Sequence, residues 1–286
     1  MPTPYLSIVV PTYNGADWIA DTLAELEQFV LAQSVRVQLV LVDDGSGPVT
    51  TQILRDFAMS RRWVTLLRNE QNRGKGFAVA RGMRAARGAY RIFTDADLAY
   101  PASQISRLLT LMEEGVDVAI ANRVHPDSRF TMNPSCLRYH VTRHFLSRTL
   151  NLAVRSTVIP GVHDTQAGLK GFTAKAADTI FPKLTVDRFG FDIEALLAAR
   201  LHGFLIAESP VCYRYEIDAS TVRFTRDILR MTRDLFRIAS NALRGKYSPS
   251  NPPRLVMSPV RHGQVDDVRP AYRRVVAPIA SAVATG

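Results

Sequence analysis

The sequence predicts an α/β domain with a mostly parallel central sheet flanked by helices. Short apolar runs alternate with helical stretches from residue 5 to residue 121, the order expected of consecutive βαβ units. The chain has 286 residues, 47% hydrophobic and 22% charged, which is enough for one domain with a substantial core. Polar segments also follow the runs directly: Pro11-Thr-Tyr-Asn14, Asp43-Asp-Gly-Ser46 and Asp95-Ala-Asp97. In an open parallel sheet such strand ends are where ligands bind, so three polar sites should converge on one edge.

The elements follow from the pattern in order. Tyr5 to Pro11 reads as a buried strand, Asp17 to Leu31 as an amphipathic helix, Val37 to Val42 as a strand, and Val49 to Met59 as a helix. A third strand at Val64 to Leu67, a helix from Gly76 to Arg87 and a strand ending at Asp95 continue the alternation. A helix after Pro101 and a strand at Val116 to Ala121 complete the regular part. The pattern then loosens into a helical stretch near Cys136 to Arg155 and the polar segment Gly161 to Phe172, read as a shaped loop rather than core. Phe191 to His202 is helical, Phe204 to Val211 a strand, and Thr221 to Leu243 a strongly patterned helix. The expected organisation is one α/β domain over residues 1–220, a basic amphipathic helix over 221–246, and a disordered, proline-bearing tail over 247–286. No internal repeat is visible.

Composition narrows the function classes. The longest apolar runs, such as Val37 to Val42, are too short to span a bilayer, and the Met-Pro-Thr-Pro start lacks a signal-peptide pattern. A cytoplasmic location is therefore expected. Cys136 and Cys212 lie far apart without metal-ligand spacing and read as reduced structural residues. The net charge of +10 implies an anionic partner: nucleic acid, a phosphorylated substrate or a lipid surface. No clustered basic and aromatic residues or reading helix support nucleic acid, so none is expected as a partner. No feature sets an oligomeric state.

The stretch from Asn72 to Asp97 carries the most chemistry. Asn72-Arg-Gly-Lys-Gly76 opens a helix, whose free N–H groups attract phosphate oxygens while glycines permit close backbone approach. Lys75 would neutralise a diphosphate there, although the same residues also suit a plain surface turn. Asp95 and Asp97 emerge at a strand end, where two carboxylates can hold a hard divalent cation, Mg²⁺ or Mn²⁺. Their bland reading is a solvated turn.

Taken in succession, Pro11-Thr-Tyr-Asn14, Val42-Asp-Asp-Gly-Ser46, Asn72-Arg-Gly-Lys-Gly76, Thr94-Asp-Ala-Asp-Leu98 and Asp164-Thr-Gln-Ala-Gly-Leu-Lys-Gly-Phe172 resemble the inverting glycosyltransferase family two, of GT-A fold. The sequence is most similar to the polyprenyl-phosphate sugar synthases. Asp164 onward and Phe191-Asp-Ile-Glu194 resemble the dolichyl-phosphate β-glucosyltransferase branch. The resemblance implies transfer of a hexose, glucose in that branch, from a uridine-diphosphate sugar. Pro11, Tyr13, Asn14, Asp43, Asp44, Lys75, Gly76, Asp95, Ala96 and Asp97 would hold the donor. A uridine base needs a carboxylate acceptor for its imide N–H and a flat stacking surface, which Asp43, Asp44 and Tyr13 supply. The alternative for Asp43 and Asp44 is capping of the following helix. Many similar sequences carry Glu where this chain has Gly15.

The acceptor side is set by the chemistry of inversion. An alcohol needs a carboxylate base, whereas a phosphate monoester, with a second pKa of about 6, is mostly dianionic at neutral pH and needs positioning and charge screening instead. Asp164, Asp97 and Arg123 are the candidate catalytic residues, and Arg123, Arg138, Gln166, Lys170, Asp192 and Glu194 the candidate acceptor contacts. Arg143 and Arg214 are further candidate cations, each equally readable as a solvated surface charge. Asp164 alone would read as a turn residue and Glu194 as a helix-face residue. A soluble enzyme acting on a glycan or metabolite hydroxyl is the nearer alternative function, and a nucleic-acid-binding protein the more distant one.

The helix from Thr221 supplies a separate clue. Arg226, Arg230, Arg233 and Arg237 form a stripe, with Arg223 and Arg244 nearby, while Ile228, Met231, Leu235, Ile238, Ala239 and Ala242 take the opposite face. Such a helix suits an anionic membrane surface, with its apolar face in the acyl boundary, and suits equally well packing of that face on the domain. With a polyprenyl-phosphate acceptor, the expectation is reversible, peripheral binding at the cytoplasmic face of the plasma membrane.

Overall fold

A computed structural model describes residues 3–132, 159, 161–215 and 224–248, with the side chains of Met132, Tyr215 and 224–232 excluded. Sequence expectations for Cys136, Arg138, Arg143, the helix at 136–155, Arg223 and the tail beyond 248 lie outside the described residues, as do the side chains of Arg226, Ile228, Arg230 and Met231.

The core is a seven-stranded sheet in the order β3-β2-β1-β4-β7-β5-β8. Its strands are β1 (Leu6–Thr12), β2 (Val37–Asp43), β3 (Val64–Arg68), β4 (Tyr90–Phe93), β5 (Val118–Asn122), β7 (Lys170–Thr173) and β8 (Ile206–Pro210). All neighbours pair parallel except β7, which runs antiparallel to both β4 and β5. The apolar runs form strands because helices cover them: every residue of β2 is buried, as are Leu6, Ile8, Val9 and Val10 of β1. Each such aliphatic side chain contributes about 1.5–3 kcal/mol by leaving water. Pro11 is tolerated in central β1 because β1 pairs with β4 only as far as Val9–Phe93. Val9 O accepts from Thr94 N and Thr12 O from Asp44 N, so the alternation turns Pro11 toward β4 beyond that strand's end, where no ladder bond is lost.

The helices α1 (Ile19–Leu31), α2 (Pro48–Met59), α3 (Lys75–Ala85) and α4 (Gln104–Glu113) connect the strands as the periodicity predicts. After β7 come α5 (Ala174–Ile180), a short 3-10 turn at Phe181–Lys183, and α6 (Phe191–Leu201), with α7 (Phe224–Leu243) the last of the described helices. A small parallel pair, β6 (Arg129–Met132) with β9 (Cys212–Tyr215), stands outside the main sheet.

Two expectations change. The segment read as a loop up to Phe172 ends in β7, inserted in the middle of the sheet. Its pattern is hidden by Lys170 and by Gly171, where a Cβ would stand 2.7 Å from Met112 Cε, so glycine lets α4 close on the strand. On α7, Ile238 is fully buried and Leu235 and Ala242 pack on the core, so this part of the apolar face lies on the domain. Tyr247, assigned to the tail by sequence, is fully buried as well, and its hydroxyl donates to Glu194.

Candidate active site

The polar segments gather at the carboxyl edge of the parallel strands. After β1, Tyr13 is 45% exposed, while Asn14 takes a left-handed turn with φ 51°. Asn14 Oδ1 accepts from Gly47 N at 2.9 Å and its own N–H donates to Ser46 Oγ at 3.1 Å, tying the first segment to the second. Gly15 is covered by Trp18, whose ring lies 2.6 Å from where a Cβ would stand.

Asp43 and Asp44 end β2, both buried. Asp43 accepts from Ser46 N, Thr51 Oγ1 and Arg68 Nε at 2.8, 2.7 and 3.2 Å. Asp44 accepts from Asn69 Nδ2, Arg73 N and Gly74 N at 2.6, 3.0 and 2.8 Å. The capping alternative fails in its simple form, because α2 has Gly47 at its N-cap and no side-chain cap. Asp43 instead pins the turn before α2 and its first turn of helix, and Asp44 holds the glycine-rich turn. A carboxylate offers about four acceptor positions, so each keeps one.

The space beside the glycines is filled by the chain itself. A Cβ on Gly74, whose φ is +106°, would stand 2.5 Å from Asp187 O, and one on Gly76 would stand 2.6 Å from Val186 O. The close approach that the sequence reserved for a phosphate belongs, at these two positions, to the segment from Val186 to Phe191. Lys75 turns to Asp95, with Nζ 2.5 Å from Oδ1. Burial works against its charge, but Asp95, Asp192 and Asp97 outweigh burial and hold Lys75 above the usual lysine range.

Asp95 is half-buried and Ala96 buried, whereas Asp97 is exposed and accepts from Ala99 N at 3.0 Å. A Cβ at Gly168 would stand 1.9 Å from Asp95 Oδ2, so the loop after Asp164 presses its backbone directly on this carboxylate. The buried hydroxyls of Thr12, Thr94 and Tyr100 lack hydrogen-bond partners. Burial raises the Tyr100 hydroxyl well above its ordinary range, which keeps it a neutral donor.

Asp164 is 1% exposed and is gripped by Arg123: Nε and backbone N reach Oδ2 at 2.7 and 3.0 Å, and a terminal nitrogen reaches Oδ1 at 2.8 Å. Burial opposes ionisation, yet Arg123 prevails and holds this carboxyl below the usual range. Gln166 is half-buried on the same loop. Glu208, on β8, braces the loop by accepting from His163 N and Asp164 N at 2.8 and 2.9 Å. Sequence reading missed Glu208, although a charged residue inside the run Phe204 to Val211 was a usable signal.

Three expected acceptor contacts are placed otherwise. Lys170 is fully buried and donates to Ala167 O and to Asp192, 2.5 Å away. Burial pulls Lys170 down and pushes Asp192 up, and the pair lies beneath the site. Glu194 is also fully buried, accepting from Thr185 N, Thr185 Oγ1, Val186 N and Tyr247 Oη. These side chains face inward because each satisfies a buried donor that would otherwise be costly. Arg214 pairs with Glu25 at 3.1 Å.

Among the described residues, no group of three or more His, Cys, Asp or Glu side chains could hold a metal ion unaided. The oxygen donors of Asp95 and Asp97 nonetheless suit a hard divalent cation that takes its remaining ligands from phosphate and water.

A parallel sheet, one antiparallel insertion and acidic residues after β2 and β4 define an α/β domain of the GT-A type. The glycosyl transferase family 2 model matches residues 7–180, and the chain belongs to that family. It is 31% identical over 253 residues to dolichyl-phosphate β-glucosyltransferase of Dictyostelium discoideum, covering 84% of this chain and 76% of that one. It is likewise 31% identical over 261 residues to the Saccharomyces cerevisiae protein of that name, covering 85% and 76%. Among solved structures, glucosyl-3-phosphoglycerate synthase from Mycobacterium tuberculosis with Mg²⁺ and uridine diphosphate superposes with TM-score 0.59 at 17% identity, over 87% of this chain and 81% of that one. A mannosyltransferase from Pyrobaculum calidifontis with GDP-Man and Mn²⁺ gives 0.55 at 18% identity, over 100% and 77%. At such identities the likeness concerns the fold. The chain is a glycosyltransferase.

Proposed function

We propose that this enzyme transfers glucose from a uridine-diphosphate sugar to a polyprenyl phosphate, with inversion, at a membrane surface. The relatives' dolichyl-phosphate β-glucosyltransferase names support the donor sugar and the acceptor class. The observation that carries the acceptor reading is the Arg123–Asp164 pair. A carboxylate held ionised by three hydrogen bonds from one arginine is a poor general base, so the acceptor must arrive already able to attack. A phosphate dianion meets that condition and an alcohol does not.

Tyr13 stacks on the base, and the remaining acceptor position of Asp44 accepts its imide N–H, with Asp43 holding the turn from beneath. Lys75 leaves Asp95 for the diphosphate, and Arg123, fixed by Asp164, orients the acceptor phosphate on the opposite side of the sugar. Asp95 and Asp97 would hold Mg²⁺ or Mn²⁺. That cation, when bound, supplies Lewis-acid stabilisation of the departing nucleoside diphosphate. Among the described residues no helix is long and apolar enough to cross a membrane.

The test is transfer of radiolabel from UDP-glucose to a short polyprenyl phosphate with Mg²⁺ or Mn²⁺. Lipid-extractable label is expected. Label found only on an alcohol acceptor, or none with any common nucleotide sugar, would overturn the reading.

A further inference from the structure

Among the described residues, nothing packs on a second stripe of helix α7. Ile238 is fully buried, Leu235 and Ala242 lie on the core, and Asp234 turns inward, its Cβ 3.0 Å from where Gly190 would carry one. On the outer side Phe236 is 73% and Leu243 91% exposed. Arg233, Arg237, Arg244 and Lys246 are exposed beside them. At 100° per residue, Phe236 and Leu243 fall about 20° apart, with Arg233, Arg237 and Arg244 on the adjoining arc. Two large apolar side chains held out in water next to a basic row suit a partner that offers both apolar and anionic contacts.

We propose that this outer face of α7 docks the enzyme on an anionic lipid bilayer, with Phe236 and Leu243 entering the acyl boundary and Arg233, Arg237 and Arg244 at the phosphates. The inference rests on the lipid-linked acceptor proposed above and changes which residues meet the membrane. Ile238, Leu235 and Ala242 are already spent on the protein core, so the insertion falls to side chains outside the apolar face read from the sequence. Charge favours an anionic partner, and the apolar pair favours lipid over nucleic acid, whose backbone offers nothing to Phe236 and Leu243.

The location suits a membrane acceptor. Arg237 donates to Thr185 O at 3.3 Å, and the same segment continues to Asp187, whose carbonyl accepts from Phe77 N at 3.0 Å beside the glycine-rich turn. One short segment therefore separates the docking face from the expected diphosphate site.

The test is co-sedimentation of the full chain with phosphatidylcholine vesicles, with and without phosphatidylglycerol. Binding to the anionic vesicles is expected to weaken with salt, since each basic residue at such a surface strengthens binding about fivefold and the attraction is screened. F236S/L243S should lower partitioning at least about tenfold while leaving donor affinity and melting temperature unchanged, because both side chains are exposed. Wild-type protein that stays in the supernatant, or F236S/L243S that sediments like wild type, would overturn the assignment. Binding lost in R233Q/R244Q but kept in F236S/L243S would reduce the face to a charge contact and also overturn it. Transfer to a short, water-soluble polyprenyl phosphate separates the two proposals. Transfer kept without vesicle binding removes only the docking face, and vesicle binding without transfer removes only the reaction.

Discussion

A single methyl group at Gly168 is expected to disable donor chemistry without unfolding the domain. A Cβ there stands 1.9 Å from Asp95 Oδ2 and 2.6 Å from its Cγ, whereas ordinary contact begins at 3.4 Å. The carboxylate must therefore retreat by 3.4 − 1.9 = 1.5 Å, or the loop must lift by as much. Either movement disturbs the Lys75–Asp95 pair and the place proposed for the cation. A misplacement of about 1 Å costs on the order of a hundredfold in rate, which is about 2.7 kcal/mol of transition-state stabilisation. Gly168 is not among the positive-φ glycines, so alanine introduces no backbone strain. The assay compares Gly168→Ala with wild type in kcat/KM for transfer to a short polyprenyl phosphate, Mn²⁺-dependent affinity for UDP, and melting temperature. The expected result is a loss of kcat/KM of about two orders of magnitude, weaker Mn²⁺-dependent binding and a nearly unchanged melting temperature. Unchanged kinetics would refute the argument that this backbone contact sets the carboxylate.

Other substitutions separate chemistry from architecture. Asp97→Ala, at an exposed position, should abolish metal-dependent turnover while circular dichroism and melting temperature stay at wild-type values; retained turnover would remove Asp97 from the proposed cation site. Glu194→Gln should destabilise the domain by about 3 kcal/mol in urea titration, because an amide replaces an acceptor facing two backbone N–H groups and two hydroxyls. Arg123→Met should cost about 3 kcal/mol at neutral pH by stranding the buried Asp164 carboxylate. The sign with pH follows from the lowered carboxyl of Asp164. In the native state it stays ionised below its unfolded value of about 3.9, so the pair's contribution is complete above that pH and lost as pH falls through the lower native value. Urea midpoints should therefore converge between wild type and Arg123→Met as the pH drops toward and below about 4; a constant gap would contradict the pairing.

The βαβ frame was legible because its signals are local. Val37 to Val42 or Ile19 to Leu31 shows its periodicity within one element, whatever the rest of the chain does. β7 gives no such signal, since Lys170-Gly-Phe-Thr173 becomes a central strand only when β4 and β5 flank it and Asp192 neutralises the lysine. The same distinction divides the site. The position of Asp95 and Asp97 just beyond β4 was readable from the apolar run that precedes them. Lys170, Asp192 and Glu194 were read as acceptor contacts because sequence shows a charge but not the buried partner that consumes it. The glycines of the turn at Gly74 and Gly76 were assigned to a phosphate, when the atoms that need their missing side chains belong to Val186 and Asp187.

The pairing of charges gives a physical reason for the proposed cation. Lys75 is balanced by Asp95, Arg123 by Asp164 and Lys170 by Asp192, so among the described residues these three cations are already matched before any ligand enters. A sugar nucleotide diphosphate and an acceptor phosphate each bring about two negative charges at neutral pH. If Lys75 turns to the diphosphate, Asp95 loses its partner and stands with Asp97 facing more negative charge. Asp95 and Asp97 would hold a divalent cation in that state, and the cation would supply the positive charge that Lys75 gives up and that the phosphates require. Donor and cation should therefore bind with positive coupling, each tightening the other, and removing the Lys75 charge should weaken the donor more than the cation.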